Sequence, residues 1–253
     1  MTLPILKLPV IQFENGQPKR VAAAIIRETA LEIRLNERFL VEIACAGLHL
    51  EELALGYLQS EGFVDSMDEI LRIEVEESPY LVAIATTRET PAAPLSPAIM
   101  SSGARKKTKI LPGEPLHSSL VVGAAQILNL MEQLLAATEI HEITRGTHCS
   151  ALAVPERLVC TREDIGRHNT IDMLAGYSLK NNLERGAYLL LTTGRISSEI
   201  VGKAWIQGIP VIISHSAPTS GAIDLARKAG ITLIGYVRNS RMSIYVNEQR
   251  VQF

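Results

Sequence analysis

Residues 187–246 read AYLLLTTGRISSEIVGKAWIQGIPVIISHSAPTSGAIDLARKAGITLIGYVRNSRMSIYV, a series of short apolar runs with longer segments between them. Apolar runs without polar interruption are typical of strands in a sheet that is covered on both faces. Helices that join such strands form right-handed crossovers. The pattern predicts strands at 187–192, 210–214, 231–236 and 242–246, and helices at 197–207 and 220–229. We therefore predict an α/β domain with a mixed, largely parallel sheet.

The pattern of residues 1–186 predicts the rest of the α/β domain and, N-terminal to it, a smaller domain. The α/β domain covers 118–253 and adds a helix at 119–137 capped by Ser118 or Ser119, a hairpin of 150–154 with 157–161, and a helix at 169–183. A small N-terminal α+β domain lies within 1–117, with strands at 30–35, 39–44, 70–75 and 80–85 and a helix at 50–60.

Residues 87–117 show neither helical nor strand periodicity. Five of the 12 prolines fall there, with the basic run Arg105-Lys106-Lys107 at the centre. Such a stretch without periodicity predicts either a mobile functional loop or a linker. A basic run of this kind is more often a solvated loop than a nucleic-acid site.

The composition excludes several classes of protein. Hydrophobic residues make up 47% of the 253 and charged residues 21%, which is typical of globular proteins. The net charge of −2 provides no general attraction to nucleic acid. We see neither a membrane span nor a signal peptide and expect no membrane contact. The cysteines Cys45, Cys149 and Cys160 are odd in number and widely spaced, which disfavours a disulfide framework and indicates the reducing cytoplasm.

Polar loops follow three of the predicted strands, at 192–197, 214–219 and 236–241. In a parallel α/β sheet these loops meet at one edge, where helix N-termini present free N–H groups to anions. Glycine permits close backbone approach, hydroxyls donate hydrogen bonds, and arginines pair with phosphate. Helix capping would explain one such loop, whereas three on one edge favour a phosphate-bearing ligand. The candidate ligand residues in the first two loops are Thr193, Gly194, Arg195, Ser216 and Thr219.

The segment EDIGRHN concentrates charged and polar side chains before a predicted helix. In the structural interpretation, Asn169 caps that helix and Glu163 pairs with Arg167. In the functional interpretation, Glu163 and Asp164 accept hydrogen bonds from a guanine base or move a proton. We include Asp164, Arg167 and His168 among the predicted ligand residues.

His148 directly precedes Cys149, and Arg145 lies close by in the chain. Positive charge of this kind would stabilise the thiolate of Cys149 and make it a nucleophile, with His148 as its partner. Neighbours in sequence need not be neighbours in space, so a structural role stays open. We expect no metal site, because His141-Glu142 lacks the spacing of the zinc deaminase motif and no Cys-x-x-Cys is present.

Six segments together carry a family resemblance. They are LEELALGYLQSEG (50–62), TRGTHCSAL (144–152), EDIGRHNTIDMLAG (163–176), TTGRISSEIVGKA (192–204), SHSAPT (214–219) and LIGYVRNSR (233–241). In this order they closely resemble the formate dehydrogenase accessory sulfurtransferase (FdhD) family, and the resemblance extends over residues 31–246.

The resemblance implies a cytidine-deaminase-like α/β fold without the deaminase zinc site, a homodimer, and a cytoplasmic role in the maturation of formate dehydrogenase. Members take sulfur from a cysteine desulfurase and pass it to molybdenum bis(molybdopterin guanine dinucleotide), a cofactor that they carry and for which GDP-like nucleotides are mimics. The cofactor-associated segment of the family matches Tyr236, Val237, Arg238, Asn239, Ser240 and Arg241.

One departure from the family concerns its persulfide-carrying Cys-x-x-Cys, which follows a Ser-Ser pair. Here the chain continues Ser101-Ser102-Gly103-Ala104-Arg105-Lys106, with no cysteine. The leading hypothesis is delivery of the cofactor with sulfur, and the alternative is a cofactor-binding chaperone without sulfur transfer. A nucleotide-processing enzyme on the same fold is a third. If sulfur is carried, we expect it on Cys149, because Cys45 and Cys160 fall in apolar strand patterns.

Overall fold

The computed structural model describes residues 4–77, 79–88 and 113–253. The N-terminal part forms one antiparallel sheet, one mixed sheet and one α-helix. Its elements are β1 (Ile5–Glu14), β2 (Gln17–Ile26), β3 (Thr29–Leu35), β4 (Arg38–Cys45), α1 (Leu50–Ser60), β5 (Ile70–Glu77) and β6 (Tyr80–Thr86). Strands β1 and β2 form a separate two-stranded ribbon, and the other four strands form a sheet in the order β4-β3-β6-β5.

The C-terminal part begins at residue 113 and alternates between strands and helices, as the apolar pattern predicts. Two short 3-10 turns lie at Met67–Glu69 and Glu248–Arg250. The elements of this part are β7 (Val122–Gly123), α2 (Ala124–Ala136), α3 (Glu139–Thr144), β8 (His148–Val154), β9 (Arg157–Asp164), α4 (Arg167–Lys180), β10 (Leu189–Thr192), α5 (Ser198–Gln207), β11 (Val211–Ser214), α6 (Ser220–Ala229), β12 (Thr232–Arg238), β13 (Arg241–Val246) and β14 (Val251–Gln252).

The central sheet has six strands in the order β13-β12-β11-β10-β8-β9. Strands β10, β11 and β12 are parallel neighbours, and the helices α5 and α6 connect them. The prediction of a mixed α/β sheet is confirmed, but its parallel part is smaller than predicted. Tight turns join β8 to β9 and β12 to β13, so these two pairs are antiparallel, and β8 also pairs antiparallel with β10.

Both faces of the central sheet are covered because its strands are apolar on both sides. Leu190 packs in a cluster with residues of α4, α5 and α6, such as Ile200. The adjacent Leu189 and Leu191 point to the other face and pack against α2, where Leu130 is fully buried. The result is three layers of helix, sheet and helix.

The four-stranded N-terminal sheet buries one face against α1, through side chains such as Ile33 and Leu53. Met173 and Leu179 of α4 belong to the same cluster. Helix α4 therefore packs against both parts of the chain, and the division at residue 117 stays a prediction.

Helices α1 and α4 cross at two glycines. A Cβ atom on Gly56 would lie 1.7 Å from the carbonyl oxygen of Asp172, and one on Gly176 would lie 2.0 Å from that of Glu52. Next to the crossing, the Ser60 hydroxyl donates a 2.7 Å hydrogen bond to the Asp172 carboxylate. Lys203 of α5 forms a buried ion pair with the same carboxylate. These contacts join α1 and α5 to α4.

Several local predictions differ from the structure. The predicted start of α2 at Ser118 or Ser119 is wrong, because the Ser118 hydroxyl binds Leu120 N and Gly186 O, and the helix starts only after Gly123. Helix α4 starts at Arg167, so Asn169 is inside the helix and not its cap. The ribbon β1–β2 and the short helix α3 were not predicted. Most of the Pro-rich stretch, residues 89–112, lies outside the described residues. No described helix is long and apolar enough to cross a membrane.

Candidate functional site

The three polar loops lie side by side at the C-terminal ends of β10, β11 and β12, as their positions after parallel strands predict. Backbone hydrogen bonds join them: Thr219 N donates to Ile196 O at 2.9 Å, and Tyr236 N donates to Ser216 O at 3.0 Å. Residues 193–197, 215–219 and 236–241 therefore form one continuous surface, which we call the loop face.

Hydroxyl groups on the loop face have local structural roles that leave their protons available. Ser197 and Thr219 cap α5 and α6, and their side chains accept hydrogen bonds from Ile200 N and Ala222 N. The hydroxyl of Thr193 accepts from Cys149 N at 3.1 Å. Each of these oxygens accepts from the backbone, and the hydroxyls of Thr193 and Thr219 retain one O–H to donate to a ligand, whereas that of Ser197 also faces His168 Nε2 at 3.4 Å.

The hairpin between β12 and β13 presents a flat, cationic surface. Asn239 and Ser240 both have positive φ and form its two-residue turn, so Arg238 and Arg241 pair across it. The Arg238 guanidinium lies 4.3 Å from the centroid of the Tyr236 ring, which is 44% exposed. We call this pair the Tyr236–Arg238 stack.

Val237 is an exception within the predicted cofactor segment. Its side chain is completely buried in the apolar cluster below the sheet. The strand alternates between the two faces, so Val237 points inward while its neighbours point outward. The prediction that Val237 binds the cofactor is therefore limited to its backbone.

A second group of basic side chains lies against Gly194. A Cβ atom at this glycine would lie 3.0 Å from Cβ of Arg167 and 3.6 Å from Nδ1 of His148, so both side chains pass close to the bare backbone. Arg195 extends into solvent from the next position. We call Arg167, Arg195 and His148 the basic cluster.

The members of the basic cluster repel one another. Burial and the charge of Arg195 lower the pKa of Arg167, with Glu199 acting in the opposite direction. Burial lowers the pKa of His148 as well, and Arg167, His141 and Arg195 add to this effect. Within the described residues, Arg167 Nε is buried and has no hydrogen-bond partner. A cluster with these properties would be stabilised by an anion.

His168, a predicted ligand residue, is almost completely buried behind the basic cluster. Its Nε2 atom lies 3.4 Å from the Ser197 hydroxyl and 3.5 Å from the Glu199 carboxylate. Burial lowers the pKa of His168 to about 4 even though Glu199 opposes the shift, so the ring is neutral at neutral pH. The sequence analysis did not include Glu199.

Asp164 and Glu163 have structural roles, because their carboxylates accept hydrogen bonds from neighbouring segments of the chain. Asp164 is completely buried and accepts from Ala46 N at 2.8 Å, Gly166 N at 2.9 Å and Asn169 Nδ2 at 2.7 Å. Burial raises its pKa to about 6, although these donors act against the shift. Glu163 accepts from two backbone N–H groups at the start of α3. The interpretation of Asp164 as a ligand residue is wrong, because its carboxylate is enclosed and occupied.

The cysteines are equally enclosed. Cys45 and Cys149 are completely buried and Cys160 is 8% exposed, and none forms a disulfide. Burial raises the pKa of Cys45 and Cys149 to about 12 and that of Cys160 to about 11. His148 and Cys149 are consecutive strand residues, so their side chains point to opposite faces. The prediction of an activated thiolate at Cys149 is therefore wrong.

We expect native cysteines to be nearly inert. Alkylation by iodoacetamide at neutral pH should be slower in the folded protein than in guanidinium chloride by about a thousandfold at Cys45 and Cys149 and about a hundredfold at Cys160, because the thiolate fraction falls tenfold with each unit of pKa. Mass spectrometry after incubation with a cysteine desulfurase and cysteine should find no persulfide. Rapid alkylation of Cys149, or a persulfide on any of the three, would contradict this burial argument.

The fold defines an α/β protein whose polar loops lie together at the C-terminal ends of parallel strands, where such proteins bind ligands. The described part of the chain contains no group of three His, Cys, Asp or Glu side chains that could hold a metal ion. The chain belongs to the FdhD/NarQ family, whose model matches residues 26–252.

Individual relatives agree with this assignment. The Bacillus subtilis (strain 168) protein, named sulfur carrier protein FdhD, is 32% identical over 251 residues, which cover 96% of each chain. A Geobacillus kaustophilus protein of the same name is 31% identical over 96% of this chain and 95% of its own. The crystal structure of a candidate formate dehydrogenase accessory protein from Desulfotalea psychrophila superimposes with a TM-score of 0.83 at 24% identity, over 99% of this chain and 100% of that one, which confirms the fold.

Proposed function

We propose that this protein binds molybdenum bis(molybdopterin guanine dinucleotide) by its guanine nucleotide ends on the loop face and presents it to formate dehydrogenase. The observation that carries the proposal is a set of arginines at this surface that form no ion pair within the described residues. They are Arg167, Arg195, Arg238 and Arg241.

Unpaired arginines favour a ligand that is both anionic and aromatic. Guanidinium groups bind phosphate oxygens in pairs of hydrogen bonds and also stack on flat rings. The exposed Tyr236–Arg238 stack provides a surface for a purine, and His215 lies close enough for Arg238 to add to the burial effect that lowers its pKa. The name of the Desulfotalea psychrophila structure and the family resemblance support formate dehydrogenase as the recipient.

Whether sulfur travels on this chain is a separate question, and a specific observation favours the chaperone alternative. The relatives are named sulfur carrier proteins, but all three cysteines here are buried with raised pKa values. The sequence between the Ser-Ser pair and Lys106 also contains no cysteine. We therefore propose a cofactor carrier that forms no persulfide of its own. Cysteine desulfurase as a partner, the homodimer and the cytoplasmic location stay predictions.

Calorimetric titration with GDP tests the proposal. We expect GDP to bind the wild type and to bind the double variant Arg238→Ala/Arg241→Ala more weakly, because each lost charge-assisted contact costs about 1.5–3 kcal/mol. The control is Arg227→Ala in the last turn of α6, an exposed arginine paired with Asp224, which should leave binding unchanged. Equal GDP affinity in the wild type and the double variant would rule the proposal out.

A further inference from the structure

We propose that the basic cluster and the Tyr236–Arg238 stack are two separate subsites, and that the basic cluster binds a diphosphate group while the stack binds the base. This inference rests on the proposed function and assigns different parts of one nucleotide to different residues. It predicts that inorganic pyrophosphate alone binds the protein at Arg195 and Arg167.

The basic cluster packs directly against the backbone of Gly194, which has no side chain to separate its members. The missing side chain allows the stem of Arg167 to pass within 3.2 Å of the Cβ position, and His148 Nδ1 lies 3.6 Å from the same position. Ser214 holds this backbone in place by donating a 2.8 Å hydrogen bond to Gly194 O. A side chain at this position would crowd the stem of Arg167, so glycine permits Arg167 and His148 to lie this close to the loop.

The carboxylates that could neutralise the basic cluster are occupied elsewhere. Asp164 is bound to Ala46, Gly166 and Asn169, and Glu163 is bound to the start of α3. Glu199 partly offsets the charge of Arg167, but its side chain lies beside His168. The cluster therefore retains excess positive charge, together with a buried Arg167 Nε that has no partner in the described residues.

A diphosphate matches this arrangement better than a base or a single carboxylate. It has several anionic oxygens that can bind two guanidinium groups at once, one from Arg167 and one from Arg195. Arg167 is the first residue of α4, and Ser197 beside the cluster caps α5, so the positive ends of two helix dipoles lie next to it. The Tyr236–Arg238 stack lies on the β12–β13 hairpin and offers an aromatic ring to a base.

Calorimetry with three probes separates the subsites: inorganic pyrophosphate, guanosine and GDP. We expect Arg195→Ala to weaken pyrophosphate and GDP by about 10- to 100-fold and to leave guanosine unchanged. Arg238→Ala should weaken guanosine and GDP but not pyrophosphate. Arg195 is exposed, so its replacement should not affect folding, and Arg227→Ala again provides the matched control.

The possible results distinguish the subsite from the proposed function. The inference is overturned if pyrophosphate does not bind, or if Arg195→Ala leaves its affinity unchanged. If GDP binds and responds to Arg238→Ala but not to Arg195→Ala, the proposed function holds and the diphosphate subsite fails. If pyrophosphate binds through Arg195 but neither GDP nor guanosine binds, the subsite holds and the guanine nucleotide proposal fails.

Discussion

Alanine at Gly56 or at Gly176 is expected to destabilise the protein by more than about 3 kcal/mol, above the range of ordinary overpacking. The new methyl group would lie 1.7 Å or 2.0 Å from a backbone carbonyl oxygen of the facing helix. Backbone cannot rotate away as a side chain can, so α1 and α4 would have to separate. Urea denaturation of each variant measures the free energy of unfolding.

A glycine in a helix without close neighbours is the control for this experiment. Gly221 lies in α6, and an added Cβ there would meet Cβ of Ser198 only at 3.9 Å, an ordinary van der Waals contact. Gly221→Ala should leave stability unchanged or increase it by up to about 1 kcal/mol, because alanine favours the helix. A loss at Gly56 or Gly176 no larger than the change at Gly221 would show that the helices do not cross this closely.

Lys203→Met is expected to cost about 3–5 kcal/mol, because it leaves the buried Asp172 carboxylate without its cation. Lys203 and Asp172 are each 3% exposed, so solvent cannot compensate for the loss. The methionine keeps most of the apolar volume of the lysine stem, which separates the effect of charge from that of packing. Thermal and urea denaturation of the variant measure the change.

The matched control is a lysine in a more exposed ion pair between helices. Lys180 of α4 lies 2.9 Å from Glu51, but both side chains are about one-third exposed. Lys180→Met should therefore cost no more than about 1 kcal/mol. Similar effects at Lys203 and Lys180 would refute the importance of burial for the Lys203–Asp172 pair.

These contacts also determine the position of the ligand surface. Helix α4 is held by the glycine crossing and by the Asp172 network, and its first residue, Arg167, belongs to the basic cluster. Destabilising variants at either place are therefore expected to affect ligand binding indirectly. The binding experiments rely on exposed arginines for this reason.

Local patterns predicted the elements in which apolar residues recur with a clear helical or strand spacing. Helix α1 has the bounds predicted from its apolar spacing, and the strands of the central sheet lie close to their predicted places. The ribbon β1–β2 was missed although Asn15 and Gly16, a common hairpin pair, lie at its turn with positive φ. Its strands expose residues such as Phe13, so the alternation of buried and exposed positions is weak.

The α/β class, the family and the three loops at one sheet edge could all be predicted from local patterns, because strand periodicity and chain order specify which loops share an edge. The roles of the side chains in EDIGRHN and in the pair His148–Cys149 could not, because they depend on contacts made in the folded chain. Arg167 lies in the basic cluster whereas Asp164 is enclosed by Ala46 and Asn169. Burial and hydrogen-bond partners depend on residues as distant in the chain as Ala46, 118 positions from Asp164, and they set whether a carboxylate or a thiol is available for chemistry.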